Sequence, residues 1–91
     1  MILIGKIDDS FDVHNCCVVV FKLLAGRHRV NDPIQLRTPD GQVIDTYIAG
    51  FERWTYRPGV SPDRDIIGIC FPKEITKQQV PKGTEIWSVK D

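Results

Sequence analysis

Apolar and polar residues alternate over short runs along this chain, and most of the runs end at Gly, Pro, Asn or Asp. That is the pattern of half-buried β-strands separated by turns, not of amphipathic helices. Ile2 to Ser10 alternates in patches, with Lys6 and Asp8 among Leu3, Ile4 and Ile7, and reads as a first strand. Phe11 to Asn15 is mixed and reads as a turn, Asp12 and Asn15 being turn formers. Cys16 to Leu24 is apolar on both parities except at Lys22. Its β-branched Val18, Val19 and Val20 favour a strand over a helix. Ile34 to Thr38 alternates cleanly, which predicts Ile34 and Leu36 inward and Gln35 and Arg37 outward. In the long run from Gln42 to Trp54, Ile44, Thr46 and Ile48 share one face, and Val43, Asp45, Tyr47 and Ala49 the other. Gly50 within it marks an expected bulge or bend. Ile66 to Phe71 reads as a short buried strand stopped by Pro72, and Thr84 to Val89 as the last strand. Between them, Lys73 to Val80 is expected to form one helical turn or an irregular crossing.

The turn chemistry sharpens this outline. After Cys16 to Leu24 comes a tight reversal at Ala25-Gly26, then a basic segment Arg27-His28-Arg29 and a second reversal, Val30-Asn31-Asp32-Pro33. Asn and Asp bond their own backbone, Pro presets φ, and Asp32 is pushed towards an extended conformation by the proline that follows it. Two strands joined this way make the corner of a small barrel. Thr38-Pro39-Asp40-Gly41 is the strongest hairpin signal in the chain, and Pro81-Lys82-Gly83 predicts a type II turn. Thr55 to Asp65, with Pro58-Gly59 and Ser61-Pro62-Asp63, reads as a loop. The predicted fold is therefore all-β, with about six strands and little helix, closed into a small antiparallel β-barrel because closure removes exposed edges.

Composition adds bounds. The 91 residues are expected to form one domain, residues 1–91, burying roughly 60–65% of the unfolded surface. A hydrophobic content of 42% with 26% charged residues argues against disorder. Twelve basic and twelve acidic side chains cancel, which removes the gross electrostatic case for a nucleic-acid binder but leaves local patches. No apolar run is long enough to predict a transmembrane helix. The opening Met1-Ile2-Leu3-Ile4 is interrupted by Gly5 and Lys6, unlike a secretory signal. Three cysteines without CxxC spacing do not suggest a disulfide framework, so a reducing, cytoplasmic setting is expected.

Candidate chemistry is sparse. His14, Cys16, Cys17, His28 and Cys70 raise the question of zinc, but Cys16 and Cys17 adjoin on a strand and point to opposite faces. Cys17 and Cys70 are expected to pack as small hydrophobes, and no metal or other cofactor is expected. Ser61 lacks the flanking glycines of a nucleophile elbow. Asp8 and Asp9 face opposite ways on a strand, and Asp63 and Asp65 belong to or border a loop, so no acid–base pair is visible and no enzyme activity is expected. The densest aromatic and basic run is Phe51-Glu52-Arg53-Trp54-Thr55-Tyr56-Arg57. If extended, it sets Trp54 and Tyr56 on one face and Arg53 and Arg57 on the other. Stacking and phosphate or carboxylate contacts suit those types, as does closure of a barrel mouth by Trp54. Arg27, His28 and Arg29 form a second basic spot, and Lys73, Lys77 and Lys82 a third.

Three stretches resemble the second, β-barrel domain of elongation factor Tu and related translational GTPases. Gly26-Arg27-His28-Arg29-Val30-Asn31-Asp32-Pro33-Ile34-Gln35-Leu36 is similar to that family's glycine, basic pair, valine, turn and apolar strand. Asp65-Ile66-Ile67-Gly68-Ile69 resembles its acidic residue leading into a strand with a central glycine. Glu74-Ile75, then Val80-Pro81-Lys82-Gly83-Thr84-Glu85-Ile86, resembles its closing element. The resemblance implies a barrel standing alone, since no P-loop is present to hold a nucleotide. It also implies a glycine-rich stretch that helps cradle the aminoacylated 3′ end of tRNA. Asn15, Cys16, Cys17 and bulky Phe21 hold those places here, which argues against carrying that role over. The function expected on this basis is a non-catalytic module binding RNA or a protein of the translation machinery. Its candidate contacts are Arg27, His28, Arg29, Arg53, Trp54, Tyr56 and Arg57. The alternative is a small immunity or inhibitor protein that neutralises a toxin or enzyme.

Overall fold

A computed structural model of the protein describes residues 1–13, 15–52 and 66–89. Among the described residues there are eight strands: β1 (Ile2–Lys6), β2 (Asp9–Val13), β3 (Cys16–Lys22), β4 (Pro33–Arg37), β5 (Val43–Tyr47), β6 (Gly50–Glu52), β7 (Ile66–Cys70) and β8 (Glu85–Ser88). A 3-10 turn, Lys77–Gln79, is the helical element among them. The strands pair antiparallel in two four-stranded sheets: β1-β8-β4-β5, here sheet I, and β2-β3-β7-β6, here sheet II.

The all-β, antiparallel, nearly helix-free class agrees with the alternation in the sequence. The strand number and the single closed barrel do not: the expected six strands are eight, divided between two sheets. The difference lies in the two long runs. Ile2 to Ser10 is interrupted at Ile7 and Asp8, where the chain leaves sheet I for sheet II. There the Ile7 N–H donates to the Thr84 carbonyl at 2.9 Å and the Asp8 N–H to the Val20 carbonyl at 2.9 Å. Phe11 to Val13, expected as part of a turn, instead continues β2 against β3. The run from Gln42 breaks likewise at Ile48 and Ala49, whose N–H groups donate to the Asp32 and Cys70 carbonyls at 3.1 and 2.9 Å. The bend thus falls just before Gly50, which opens β6. Ile7 and Ile48, one at each bend, are fully buried. Turning its longest strands onto the facing sheet is one way for a twisted sheet to close a small core, and an apolar side chain is buried at each bend here.

The core is shared by the two sheets. Sheet I supplies Ile4, Ile34, Leu36 and Ile86, and sheet II supplies Cys17, Val19, Phe21 and Ile69. Phe71, Ile75 and Val80 from the crossing between β7 and β8 complete it. Each large apolar side chain so buried contributes roughly 1.5–3 kcal/mol. Phe21 packs so closely on Gly5 that a Cβ there would overlap its ring and lie 2.7 Å from the Lys22 carbonyl oxygen. The register of β1 against β8 shifts between Leu3 and Gly5.

Two of the turn expectations hold in detail. At Thr38–Gly41 the Gly41 N–H reaches the Thr38 carbonyl at 3.0 Å, with Gly41 at φ +91°. The buried Thr38 hydroxyl donates to the Asp40 carboxylate and accepts from the Gln42 N–H at 2.9 Å. At Pro81–Thr84 the Thr84 N–H reaches the Pro81 carbonyl at 3.1 Å, with Gly83 at φ +92°, as a type II turn needs at its third position.

Candidate binding surfaces

The basic segment Arg27-His28-Arg29 lies in the corner that carries the chain from β3 in sheet II to β4 in sheet I. Leu23 packs on the core, and the Leu24 N–H donates to the Ile4 carbonyl at 2.8 Å. Gly26 turns the chain at φ +81°, and the half-buried His28 ring donates from Nε2 to the Ala25 carbonyl at 2.8 Å. The following reversal is tied twice. The Asp32 carboxylate accepts the Arg29 N–H at 2.9 Å, and the Asp32 N–H donates to the Arg29 carbonyl at 3.1 Å. Asn31 takes φ +75°, a conformation asparagine tolerates, and its N–H donates to the Ile48 carbonyl at 2.7 Å. The Arg27 and Arg29 side chains are exposed on this braced loop. Arg53, Trp54, Tyr56 and Arg57, the rest of the expected contact set, lie outside the described residues, as do His14 and the loop from Thr55 to Asp65.

Of the two cysteines expected to pack as small hydrophobes, Cys17 does so in the core, while Cys70 is buried but bonded to a carboxylate. Cys17 belongs to the core, whereas its neighbour Cys16 is half-buried. The Cys70 thiol donates to Glu52 Oε1 at 3.4 Å. Burial, then the hydrogen bond and charge of Glu52, push the Cys70 thiol up to about 11. Burial, followed by Asp12, raises Cys17 as well. Thiolates are disfavoured at both, so neither is poised as a nucleophile. Among the described residues no three His, Cys, Asp or Glu side chains converge as a metal site.

Two grooves of about 520 Å³ flank the 3-10 turn. One is lined by residues that include Asp12, Asn15, Cys17, Lys73 and Lys77, the other by Thr38, Asp40, Gln42, Gln78 and Gln79 among others. The first lining is polar and apolar in nearly equal parts, and the second exposes mostly apolar surface. Among the described residues no helix is long and apolar enough to cross a membrane.

A second surface escaped the sequence reading. On the outer face of sheet I the Arg37 guanidinium lies 4.6 Å over the Trp87 ring. Arg37 Nε donates to Gln35 Oε1 at 2.9 Å, and Nη2 to the Met1 sulfur at 3.3 Å. The two acids nearby are engaged elsewhere: Glu85 accepts the Trp87 indole N–H at 3.2 Å, and Asp45 accepts from Gln35 Nε2 at 3.2 Å. Register explains the assembly. Gln35 stands opposite both Trp87 and Asp45, and Arg37 opposite both Glu85 and Val43, because β4 lies between β8 and β5. The outward phase of Gln35 and Arg37 was legible in the alternation. The indole was not, because nothing local says that residues 37 and 87 are neighbours.

Comparison of the chain with family models, with curated proteins and with solved structures finds no match.

Proposed function

We propose that the chain is a non-catalytic binding module of the translation-factor barrel type, docking on RNA or on a protein of the translation machinery. The observation that carries this reading is the braced corner loop. Arg27 and Arg29 are exposed on a backbone already held by Asp32, Asn31 and the His28 ring. Cationic groups on a pre-shaped loop meet phosphate or carboxylate with little ordering cost.

The test is binding of the whole chain to single-stranded RNA and to ribosomes across a salt series. For RNA, log affinity falls linearly with log salt, by about 0.7 per phosphate contact for single strands. Replacing both Arg27 and Arg29 by Gln is expected to weaken binding and flatten that slope. An unchanged slope removes the corner loop from the interface. The second reading, an inhibitor that neutralises a toxin or enzyme, is favoured by the exact balance of twelve acidic and twelve basic residues. It predicts a tight protein complex with mild salt dependence.

A further inference from the structure

We infer that the outer face of sheet I is a docking surface for an acidic, apolar segment of another protein, with Arg37 as the carboxylate receptor and Trp87 as its platform. This goes beyond the corner loop and does not depend on it. Arg37 is immobilised by the ring beneath it, the Gln35 oxygen on Nε and the Met1 sulfur near Nη2, the last a weak acceptor. None of these partners carries a charge. Glu85 stands directly across the β4–β8 ladder from Arg37, yet it bonds the indole instead, and Asp45 is bonded to Gln35. The sheet thus holds a guanidinium in a fixed pose and directs its own nearest carboxylates to other donors. A planar fork in that pose fits an incoming carboxylate or phosphate on its edge.

The rest of the face separates the two. Glu85 stands across the ladder from Arg37 and Asp45 across from Gln35, so a phosphate backbone, charged at every nucleotide, would meet both acids, whereas a single carboxylate need reach only Arg37. A protein segment brings one carboxylate and apolar side chains, and apolar surface is ready for them. Val43 is 56% exposed and Tyr47 45%, in β5 beside the Arg37 strand. Arg, Trp and Tyr are the residue types in which interface binding energy concentrates.

The test uses the full chain and three probes, followed by Trp fluorescence and anisotropy: a short peptide of Leu and Phe with one central Glu, the same peptide with Gln for Glu, and oligouridine. The Glu peptide is expected to bind about tenfold or more tightly than the Gln peptide, the value of one desolvated charged hydrogen-bonding contact. Arg37→Gln is expected to erase that preference, and Arg37→Lys, which keeps the charge and loses the fork, to reduce it. The double change of Arg27 and Arg29 to Gln leaves it intact, which separates this surface from the corner loop. An unaltered thermal melt for Arg37→Lys confirms that the fold is not what changed. Equal binding of the two peptides, or none, overturns the inference. So does oligouridine binding that depends on Arg37, which would assign the face to RNA. A dimer in sedimentation that Arg37→Gln dissociates would assign it to a second copy of this chain, and overturns it equally.

Discussion

The two sheets share one ladder geometry and one core, yet their outer faces are opposites. On sheet I the outward positions of β5 (Val43, Asp45 and Tyr47) are all exposed, and β4 sets Gln35 and Arg37 half-buried beside Trp87. On sheet II, Val18 and Val20 alternate with the core residues Cys17, Val19 and Phe21 and so point the other way. They are nevertheless only 3% and 7% exposed. The middle of sheet II, at β3, is therefore covered on both sides, although Asp9 and Val13 on β2 and Glu52 on β6 are exposed. By contrast, β5 of sheet I is open along its outer face. An antiparallel sheet tolerates either state, and side-chain chemistry selects between them. Groups that bind a partner must be reachable in the free protein, which is why the docking inferred above is assigned to the face left wet.

The sharpest way to break that contrast is to put the same charge on each face. Val18→Asp buries an unpaired carboxylate and is expected to cost more than about 3 kcal/mol in urea unfolding, or to prevent folding. Val43→Asp, the counterpart on sheet I, closes the series with a change within about 0.5 kcal/mol. Similar losses at both positions would show that the two faces do not differ as described. Between these extremes, Gly5→Ala tests whether β1 and β3 meet as tightly as the Phe21 contact requires. A forced overlap in a packed core is expected to cost about 1–3 kcal/mol.

A pH series addresses sheet II alone. Cys70 rises from an ordinary 9.0 to about 11 in the fold. Its contribution is whole below pH 9, where the thiol is protonated in both states. Above pH 9 the unfolded chain releases the proton first, so stability falls between about pH 9 and pH 11. Cys70→Ala should flatten the denaturation midpoint across that window, and an unchanged decline would assign it to other groups. Smaller again, Asp32→Ala removes the carboxylate that accepts the Arg29 N–H and is expected to cost about 1 kcal/mol. Faster amide exchange at Arg29 would report the loosened corner directly.

Much of this molecule was readable before any coordinates. The inward phase of Ile34 and Leu36 agrees with their burial, and Ile44, Thr46 and Ile48, read as sharing one face, are the less exposed set of their run. The reversals at Gly26, Gly41 and Gly83 all have φ above zero. The β-branched residues of Cys16 to Leu24 anticipated the strand Cys16–Lys22. The misreadings occurred where local pattern carries no information. Nothing in Ile2 to Val13 distinguishes a straight strand from one that changes sheets at Ile7. Aromatic density drew attention to Trp54, outside the described residues, while Trp87 sat unremarked in a short last strand.

The chain by itself determined its class, the phase of its strands and the sites of its turns. Each of these follows from side-chain period, from φ restrictions at Gly, Asn and Pro, and from hydrogen bonds spanning a few residues. Tertiary structure decided where the long strands bend, that β4 lies between β5 and β8, and that a guanidinium at position 37 rests on an indole at position 87. Those outcomes depend on how segments distant in sequence fill one small core together, and no short stretch of residues encodes that closure.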